Sequence, residues 1–277
     1  MSNHRRLWAF FLGILFWGAA ASVCRADFKP HSLEAGIEAF QTEYDASGLK
    51  NMRGPMVGFS GVYAYRSPWR LLLKAEFAAG FGQADYESAG TGSMDGVDHR
   101  IYEARGILGY VRDYDFGSFA VSAFAGAGFG RRNLIHDSSG MESTTGQLGY
   151  KREFVYDYTP IEIEAVLDLG DGWSLAFSAE YDFFWRGEHI RHVGQVYPSL
   201  NRVRNIQDSG YGLRGSLKIT KTGPLTVAFE PFIRHWNIDQ SSRVSFEGAD
   251  PGVDFSKFTF EPQSETTEIG LKVCVRF

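Results

Sequence analysis

Hydrophobic and polar residues alternate with a period of two along most of the chain after residue 26. In the segment WSLAFSAEYDFFWR, the apolar positions include Trp173, Phe177 and Trp185, and the positions between them include Glu180 and Asp182. This pattern is typical of a β-strand with one apolar face and one polar face.

Ten segments of this kind predict an all-β fold. They cover roughly residues 32–44, 55–66, 69–84, 98–114, 118–133, 150–169, 173–187, 208–220, 224–238 and 264–277. Tight turns with Pro or Gly join the strands on one side, and longer polar loops join them on the other, near residues 45–54, 85–97, 134–149, 188–207 and 239–263. An even strand count with this asymmetry predicts a transmembrane antiparallel up-and-down β-barrel in an outer membrane, with both termini on the periplasmic side.

Tryptophan positions favour a membrane protein over a soluble β-sandwich. Trp69 and Trp173 each follow a tight turn, and Trp185 lies 12 residues beyond Trp173 on the same face. That separation projects to roughly 30 Å along the axis of a tilted barrel. Two aromatic belts at this spacing match the two interfaces of a bilayer. A sandwich core is the alternative, but it would not need short turns on one side and long loops on the other.

One segment breaks the alternation. In YKREFVYDYTPIEIEAV, the aromatic residues Phe154 and Tyr158 have the same parity as Glu162 and Glu164. We expect either a β-bulge near Pro160, which would bring the aromatic residues to the apolar face, or a strand that rises above the membrane at this point.

The polar faces carry charges of both signs in similar number. The residues predicted to face the barrel interior are Glu34, Glu38, Lys74, Glu76, Glu103, Arg105, Glu162, Glu164, Asp168, Glu180, Asp182, Arg186, Arg214, Lys218, Glu230, Arg234, Glu268, Lys272 and Arg276. A ten-stranded barrel is barely wider than the eight-stranded kind that side chains fill completely. Opposed charges are therefore expected to pair across the lumen and close it, and a narrow, porin-like channel is the alternative. The glycines of GAGFG, residues 126–130, share the inward parity and are expected to make room for bulky neighbours.

The first 26 residues differ from the rest of the chain. Two arginines precede an apolar run from Leu7 to Ala21, and small residues follow it. The run is too short to span a bilayer. The pattern predicts a secretory signal peptide at residues 1–26 and an outer-membrane barrel domain at residues 27–277.

Cysteine and charge counts narrow the possible partners. A lipoprotein site at Cys24 is an alternative to the signal peptide, but Val23 is bulky where such sites carry a small residue. Cleavage after Ala26 leaves Cys274 as the only thiol, so we expect neither a disulfide nor a cysteine-based metal site.

Cleavage after Ala26 also leaves 25 basic against 33 acidic residues, a formal charge of −8. This balance argues against a nucleic-acid partner, since such proteins carry a basic face.

The histidines offer the candidate chemistry. His189 and His192 lie in EHIRH, and Asp95, Asp98 and His99 lie close together near the second long loop. At the mouth of a barrel, such residues can bind a metal or act as acid and base. Solvated loop residues are the commoner arrangement, so we predict no metal site and no cofactor.

The strand plan, together with GYKREF and WRGEHIRH, resembles the omptins, outer-membrane proteases with a ten-stranded barrel and an active site at the extracellular mouth. The resemblance implies a water molecule held between an Asp-x-Asp pair and an Asp-x-His pair. His189 falls at the histidine of that pattern, but Gly187 stands where the aspartate would be, and Gln83 precedes Asp85 in GQADYE. Loss of one member of such a unit usually costs most of the rate. The resemblance therefore supports the fold more than peptidase activity.

More closely, the chain resembles uncharacterised outer-membrane β-barrel proteins of Gram-negative bacteria with the omptin-like barrel, which implies no activity. We predict a non-enzymatic barrel with a narrow, charge-filled lumen, whose extracellular loops bind an unknown ligand or stabilise the envelope. The alternatives are a narrow channel and an omptin-like endopeptidase with a rearranged site at Asp85, Asp98, His99 and His189. Expected partners are outer-membrane lipid and lipopolysaccharide, and the barrel-assembly machinery, whose recognition signal resembles the terminal strand IGLKVCVRF with its final aromatic residue.

Overall fold

The computed structural model describes residues 30–198, 202–245 and 258–277, so the predicted signal peptide lies outside the described residues. Within these ranges, one short 3-10 helix (Val193–Gln195) accompanies thirteen strands: β1 (His31–Asp45), β2 (Lys50–Arg66), β3 (Leu71–Ser88), β4 (Gly92–Asp115), β5 (Ala120–Asp137), β6 (Lys151–Gly170), β7 (Trp173–Arg191), β8 (Val203–Gln207), β9 (Gly210–Lys221), β10 (Thr226–Ile238), β11 (Val244–Ser245), β12 (Phe258–Thr259) and β13 (Ser264–Arg276). Among the described residues, no helix is long and apolar enough to cross a bilayer.

The long strands form a closed antiparallel barrel with ten strands in its wall. Each strand from β1 to β7 pairs with the next, β7 pairs with β9, β9 with β10 and β10 with β13, and β13 returns to β1. β8 pairs with the last residues of β7 and continues the line of β9. The predicted ten-stranded all-β barrel is confirmed, and several strands extend further toward the long loops than predicted.

Apolar side chains form a band around the outside of the barrel. Trp69, Trp173 and Trp185 are 79%, 45% and 51% exposed, which places them on the outer surface as predicted. On the other strands, the exposed apolar positions furthest from the short turns include Ile37, Val57, Phe81, Phe129, Ile161, Ile233 and Ile269. Beyond this band many outward positions are polar, and they include Gln41, Arg53, Gln83 and Arg131. We call the part of the barrel inside the band the membrane level, and the part beyond it the extracellular end.

Strand β6 shows that the interior changes character where the strand leaves the membrane. At the membrane level, Ile161 faces outward and Glu162 is buried inside. In the extracellular end, Phe154 and Tyr158 are buried inside, and Asp157 lies on the outer face. A single alternation runs through the whole strand, which agrees with the expectation that the strand rises above the membrane.

The bulge predicted near Pro160 is not on β6. The register shift lies between Asp157 and Tyr158, and the extra residue is Trp185 on the neighbouring strand β7. This bulge turns Arg186 outward, where it pairs with Glu188 at 3.0 Å, so the predicted inward orientation of Arg186 is wrong.

Asp168 was also predicted to face the interior, and this prediction is wrong as well. The residue is exposed near the end of β6, and its carboxylate accepts a hydrogen bond from the Gly170 amide at 2.9 Å. The inward alternation stops here because the chain is entering the tight turn.

The interior of the extracellular end contains a large apolar cluster beside buried polar residues such as His189, Arg191 and Glu261. Its largest buried cluster contains aromatic, methionine and branched side chains from most strands of the wall: Phe40, Tyr44, Ala46, Met52, Met56, Ala84, Tyr86, Met94, Val97, Ile101, Leu134, Phe154, Tyr156, Tyr158, Phe184, Phe232, Trp236 and Ile238. This cluster resembles the core of a water-soluble β-protein, since water rather than lipid surrounds the wall at this level.

Candidate functional site

Ion pairs fill the membrane-level interior. The Arg214 guanidinium contacts Asp182 at 2.7 Å and Glu103 at 2.5 Å, and Arg105 contacts Glu180 at 2.5 Å and Glu76 at 2.7 Å. These residues come from β3, β4, β7 and β9, so the pairs reach from wall to wall. Between them lies a cavity of about 90 Å³, room for a few water molecules.

A second group of ion pairs lies toward the periplasmic end. Glu34 contacts Lys218 at 2.6 Å and Arg276 at 3.0 Å, and Glu230 contacts Lys272 at 3.0 Å and Lys218 at 3.1 Å. Cys274 is buried beside the two carboxylates, and one potential ligand atom from each of the three residues lies within 4.8 Å of the others. The spacing of the sequence did not predict this group. Each carboxylate already has two cationic partners, which argues against a metal ion here.

Three histidines meet in the interior of the extracellular end. His99 on β4 and His136 on β5 are cross-strand partners, and their ring centroids lie 4.5 Å apart. The Phe154 ring stacks on His189 of β7 at 4.3 Å and lies 5.4 Å from His136. All three histidines are buried.

Burial sets the charge of these histidines. Loss of hydration lowers the pKa of His99 and of His189 to about 4 each, and it lowers the pKa of His136 well below its usual value. Both ring nitrogens of His99 lack a hydrogen-bond partner among the described residues. The rings are therefore neutral at neutral pH and act as part of the packed interior.

A carboxylate from the last long loop enters the same region. Glu261 lies between β12 and β13 and is 1% exposed. It accepts a hydrogen bond from the Tyr44 hydroxyl at 2.8 Å, and it lies 3.1 Å from His189 Nδ1 and 3.1 Å from Arg191. Although burial alone would raise it, the neighbouring His189, Lys50 and Arg191 hold the pKa of the Glu261 carboxyl well below its usual range. Glu261 is thus an ionised carboxylate buried inside the extracellular end, in contact with cationic side chains of the wall.

The structure does not bring the four candidate catalytic residues together. His99 and His189 face the interior, whereas Asp85 and Asp98 lie on the outer face. Asp98 precedes His99 on the same strand and therefore points to the opposite side; its carboxylate is contacted by Arg100 at 3.2 Å. The Asp85 carboxylate accepts a hydrogen bond from the Gly96 amide at 3.0 Å.

The other predicted polar residues of this region also lie outside the histidine group. Asp95 is exposed near the start of β4. His192 lies just beyond β7, and its Nε2 is 2.8 Å from the Glu153 carboxylate. Neither residue shares a site with His189.

Sequence reasoning missed His136 and Glu261 as members of this region. His136 has the same parity as Gly126 and Gly130 on β5, so extending the alternation of that strand would have placed it inside. Glu261 lies in a long loop, where no alternation exists to indicate which way a side chain points.

No family model matches this chain, and no curated protein sequence matches it. The outer-membrane protease OmpT from Escherichia coli has the same fold, with a TM-score of 0.54 at 9% identity over 92% of this chain and 99% of OmpT. The chain has the fold of an omptin-like outer-membrane β-barrel. Neisserial surface protein A also matches, with a TM-score of 0.34 at 13% identity over 88% of this chain and 97% of that one. The Pseudomonas putida toluene transporter TodX matches with a TM-score of 0.33 at 11% identity over 91% of this chain and 90% of TodX.

The likeness to OmpT, at 9% identity, shows the fold of the barrel alone. The chemistry of the mouth has to be taken from the chain itself. The carboxylate beside His189 is that of Glu261, which lies in the loop before β13. Position 187 is a glycine, and a Cβ added there would lie 2.7 Å from the Phe184 ring.

Proposed function

We propose that this omptin-like barrel is a closed, non-enzymatic protein of the Gram-negative outer membrane that acts through its extracellular loops, either by binding a ligand outside the cell or by stabilising the envelope. The observation that carries the proposal is the wall-to-wall pairing around Arg105 and Arg214. Side chains that pair across the lumen in this way are expected to block the passage of solutes.

Conductance measurements test this proposal. The refolded wild-type barrel is expected to give no single-channel current in a planar bilayer. A variant with Arg105→Ala and Arg214→Ala removes the cross-lumen side chains and serves as the comparison, provided that it keeps heat-modifiable migration on gels. Stepwise current through the wild-type protein would overturn the closed-barrel proposal and favour a narrow channel.

An endopeptidase is the second candidate, and one observation favours it. The His189 imidazole lies 3.1 Å from the Glu261 carboxylate, and a carboxylate that orients an imidazole is a common part of general-base catalysis. The burial of both side chains argues against it, because a substrate could not reach them with the loop in this position.

A mixed peptide library tests the peptidase alternative. We expect no cleavage by the refolded barrel. Cleavage by the wild type that disappears in His189→Ala, with heat-modifiable migration retained in the variant, would replace the binding or structural role with a peptidase.

The envelope partners are part of the same proposal. Arg131, Arg186 and Arg204 are exposed just beyond the apolar band, where the phosphate groups of lipopolysaccharide would lie. A preference for lipopolysaccharide over neutral lipid during refolding is the expected result.

We also propose that residues 1–26 are removed and that the barrel-assembly machinery inserts the remaining chain. The protein is then expected in the outer-membrane fraction, with an N-terminus that begins after residue 26.

A further inference from the structure

The extracellular end carries an unequal set of interior charges. Lys50 of β2, Arg152 of β6 and Arg191 of β7 have inward parity on their strands. Among the described residues, Glu261 is the carboxylate that these cations meet. The wall of the barrel therefore supplies the positive charges, and a loop supplies the negative charge.

The loop holds its carboxylate in a cradle of donors from the wall. Around Glu261 lie the Tyr44 hydroxyl at 2.8 Å, Arg191 Nη2 at 3.1 Å and Lys50 Nζ at 3.4 Å. A guanidinium, an ammonium and a hydroxyl converging on one oxygen pair form a typical carboxylate-binding arrangement.

The loop contacts support the idea that this segment is docked rather than part of the wall. Arg191 also donates to the Phe260 carbonyl at 2.7 Å and contacts the Thr259 hydroxyl. On the other side, the Glu261 amide donates to Ser241 Oγ at 2.8 Å. The strands β11 and β12 of this loop pair only with each other in the described part of the chain.

A further cation lies beside the cradle without a carboxylate of its own. The Arg152 guanidinium lies over the rings of Tyr86 and Tyr150, 5.5 and 5.1 Å from their centroids. No carboxylate among the described residues forms an ion pair with it. His189 Nε2 and the Tyr156 hydroxyl are likewise buried with no hydrogen-bond partner in the described part of the chain. The wall thus offers more positive charge and more polar groups than one carboxylate uses.

We infer that the extracellular end of the barrel is a binding site for an organic carboxylate, that Glu261 occupies this site as an internal substitute for the ligand, and that an external carboxylate takes its place when the loop segment moves out. The inference rests on the proposed binding role and gives that role a ligand class. The other groups around the site are aromatic rings and neutral imidazoles. They suit a ligand in which the carboxylate is attached to an apolar or aromatic group.

Removal of the internal carboxylate provides the main test. Glu261→Ala leaves Lys50 and Arg191 without their partner, so the thermal transition of the refolded barrel, followed by gel mobility, is expected to fall. Acetate or propionate at neutral pH should restore most of the loss in a saturable manner, whereas acetamide, chloride and phosphate at equal ionic strength should not.

Controls separate binding at this site from a general salt effect. Glu153→Ala removes an outer-face carboxylate that pairs with Lys151 and His192, and its transition should not respond to acetate. Glu261→Ala combined with Arg191→Met should lose the acetate response. No recovery by acetate, or equal recovery by acetamide or chloride, would overturn the inference. Recovery by phosphate alone would overturn the assignment to carboxylates.

Exchange in the wild-type protein is tested by limited proteolysis, which does not depend on how the variants refold. A high concentration of benzoate should speed cleavage within residues 239–245 and 258–263, because it displaces Glu261 and releases these residues from the wall; benzamide is the neutral control. Unchanged cleavage would overturn the exchange step. Conductance tests the closed-barrel proposal separately. The closed-barrel proposal and the carboxylate-binding inference can therefore fail independently.

Discussion

The membrane level and the extracellular end of this barrel are built from the same strands, but ion pairs dominate the interior of the first and a large apolar cluster dominates the interior of the second. At the membrane level, lipid-facing residues such as Phe177 and Ile163 are exposed, and charged residues such as Glu103 and Arg214 face each other inside. In the extracellular end, Phe154 lies inside and charged residues such as Arg131 lie outside. The alternation of each strand continues across the boundary, while the side on which the apolar residues lie is reversed.

The reversal follows from what surrounds the wall. Lipid cannot solvate charges, so polar residues at the membrane level turn inward and must find partners in the lumen. Above the bilayer, water solvates the outer face, and apolar side chains gain most when they pack inside. The two levels are therefore stabilised by different interactions, and substitutions should affect them differently.

The largest expected effect is the loss of a cation at the membrane level. Arg214→Met leaves Glu103, Glu180 and Asp182 without one of their principal partners, and breaking a buried pair in this way costs about 3–5 kcal/mol. Urea unfolding in detergent, followed by gel mobility, measures the change. Arg100→Met is the matched control, because the Arg100–Asp98 pair is solvent-exposed and such pairs contribute at most about 1 kcal/mol. Similar losses in both variants would contradict the special role of the interior pairs.

The extracellular end should give the protein its sensitivity to mild acid. His99 and His189 are neutral in the folded barrel, with pKa values of about 4, whereas unfolded histidine binds a proton near pH 6.5. The unfolded state therefore binds more protons between these values, and stability is lost as the pH falls from about 6.5 toward 4.

Each ring should contribute about 1–2 kcal/mol of this loss between pH 7 and pH 5. His99→Phe should reduce the slope of stability against pH over this range, measured by urea unfolding at several pH values. Equal slopes in the variant and the wild type would show that buried histidines do not control the acid response.

An effect smaller than the combined loss from the buried histidines is expected at a glycine on the boundary between the two levels. A Cβ at Gly130 would lie 2.3 Å from Cζ of Tyr158, whose hydroxyl donates to Glu103 at 2.6 Å. Gly130→Ala should therefore displace the ring and cost about 1–3 kcal/mol. Gly106→Ala is the control, since the nearest atom to its added Cβ is a carbonyl oxygen at 4.0 Å. A neutral Gly130→Ala would mean that Tyr158 can move without losing its partners.

Most of the wall could be predicted from the sequence, because period-two alternation is a local property that assigns each residue of a strand to one face. It placed Glu34, Arg105 and Arg214 inside the barrel, although it did not name their partners, and it explains the small residues near Tyr158. The alternation placed Arg186 on the wrong face. The cause is a one-residue bulge on β7, which the regular alternation of the neighbouring strand β6 does not reveal.

The candidate site was less predictable for a related reason. Parity at Asp98 and His99 alone would have shown that these neighbours point to opposite faces, but proximity in the sequence made them look like one cluster. The partner of His189 is Glu261, which is 72 residues away in the chain and lies in a loop. Only the three-dimensional packing of that loop brings the two side chains together.

The smallest expected effect concerns Cys274, which is 1% exposed inside the barrel on β13. Its thiol is enclosed by the ion pairs of Glu34 and Glu230 with Lys218. A maleimide reagent should therefore not label the folded mature barrel, and it should label the urea-unfolded protein fully. Rapid labelling of the folded form would show that the membrane-level interior opens to solutes, which would weaken the contrast between a closed membrane level and an exchangeable extracellular end.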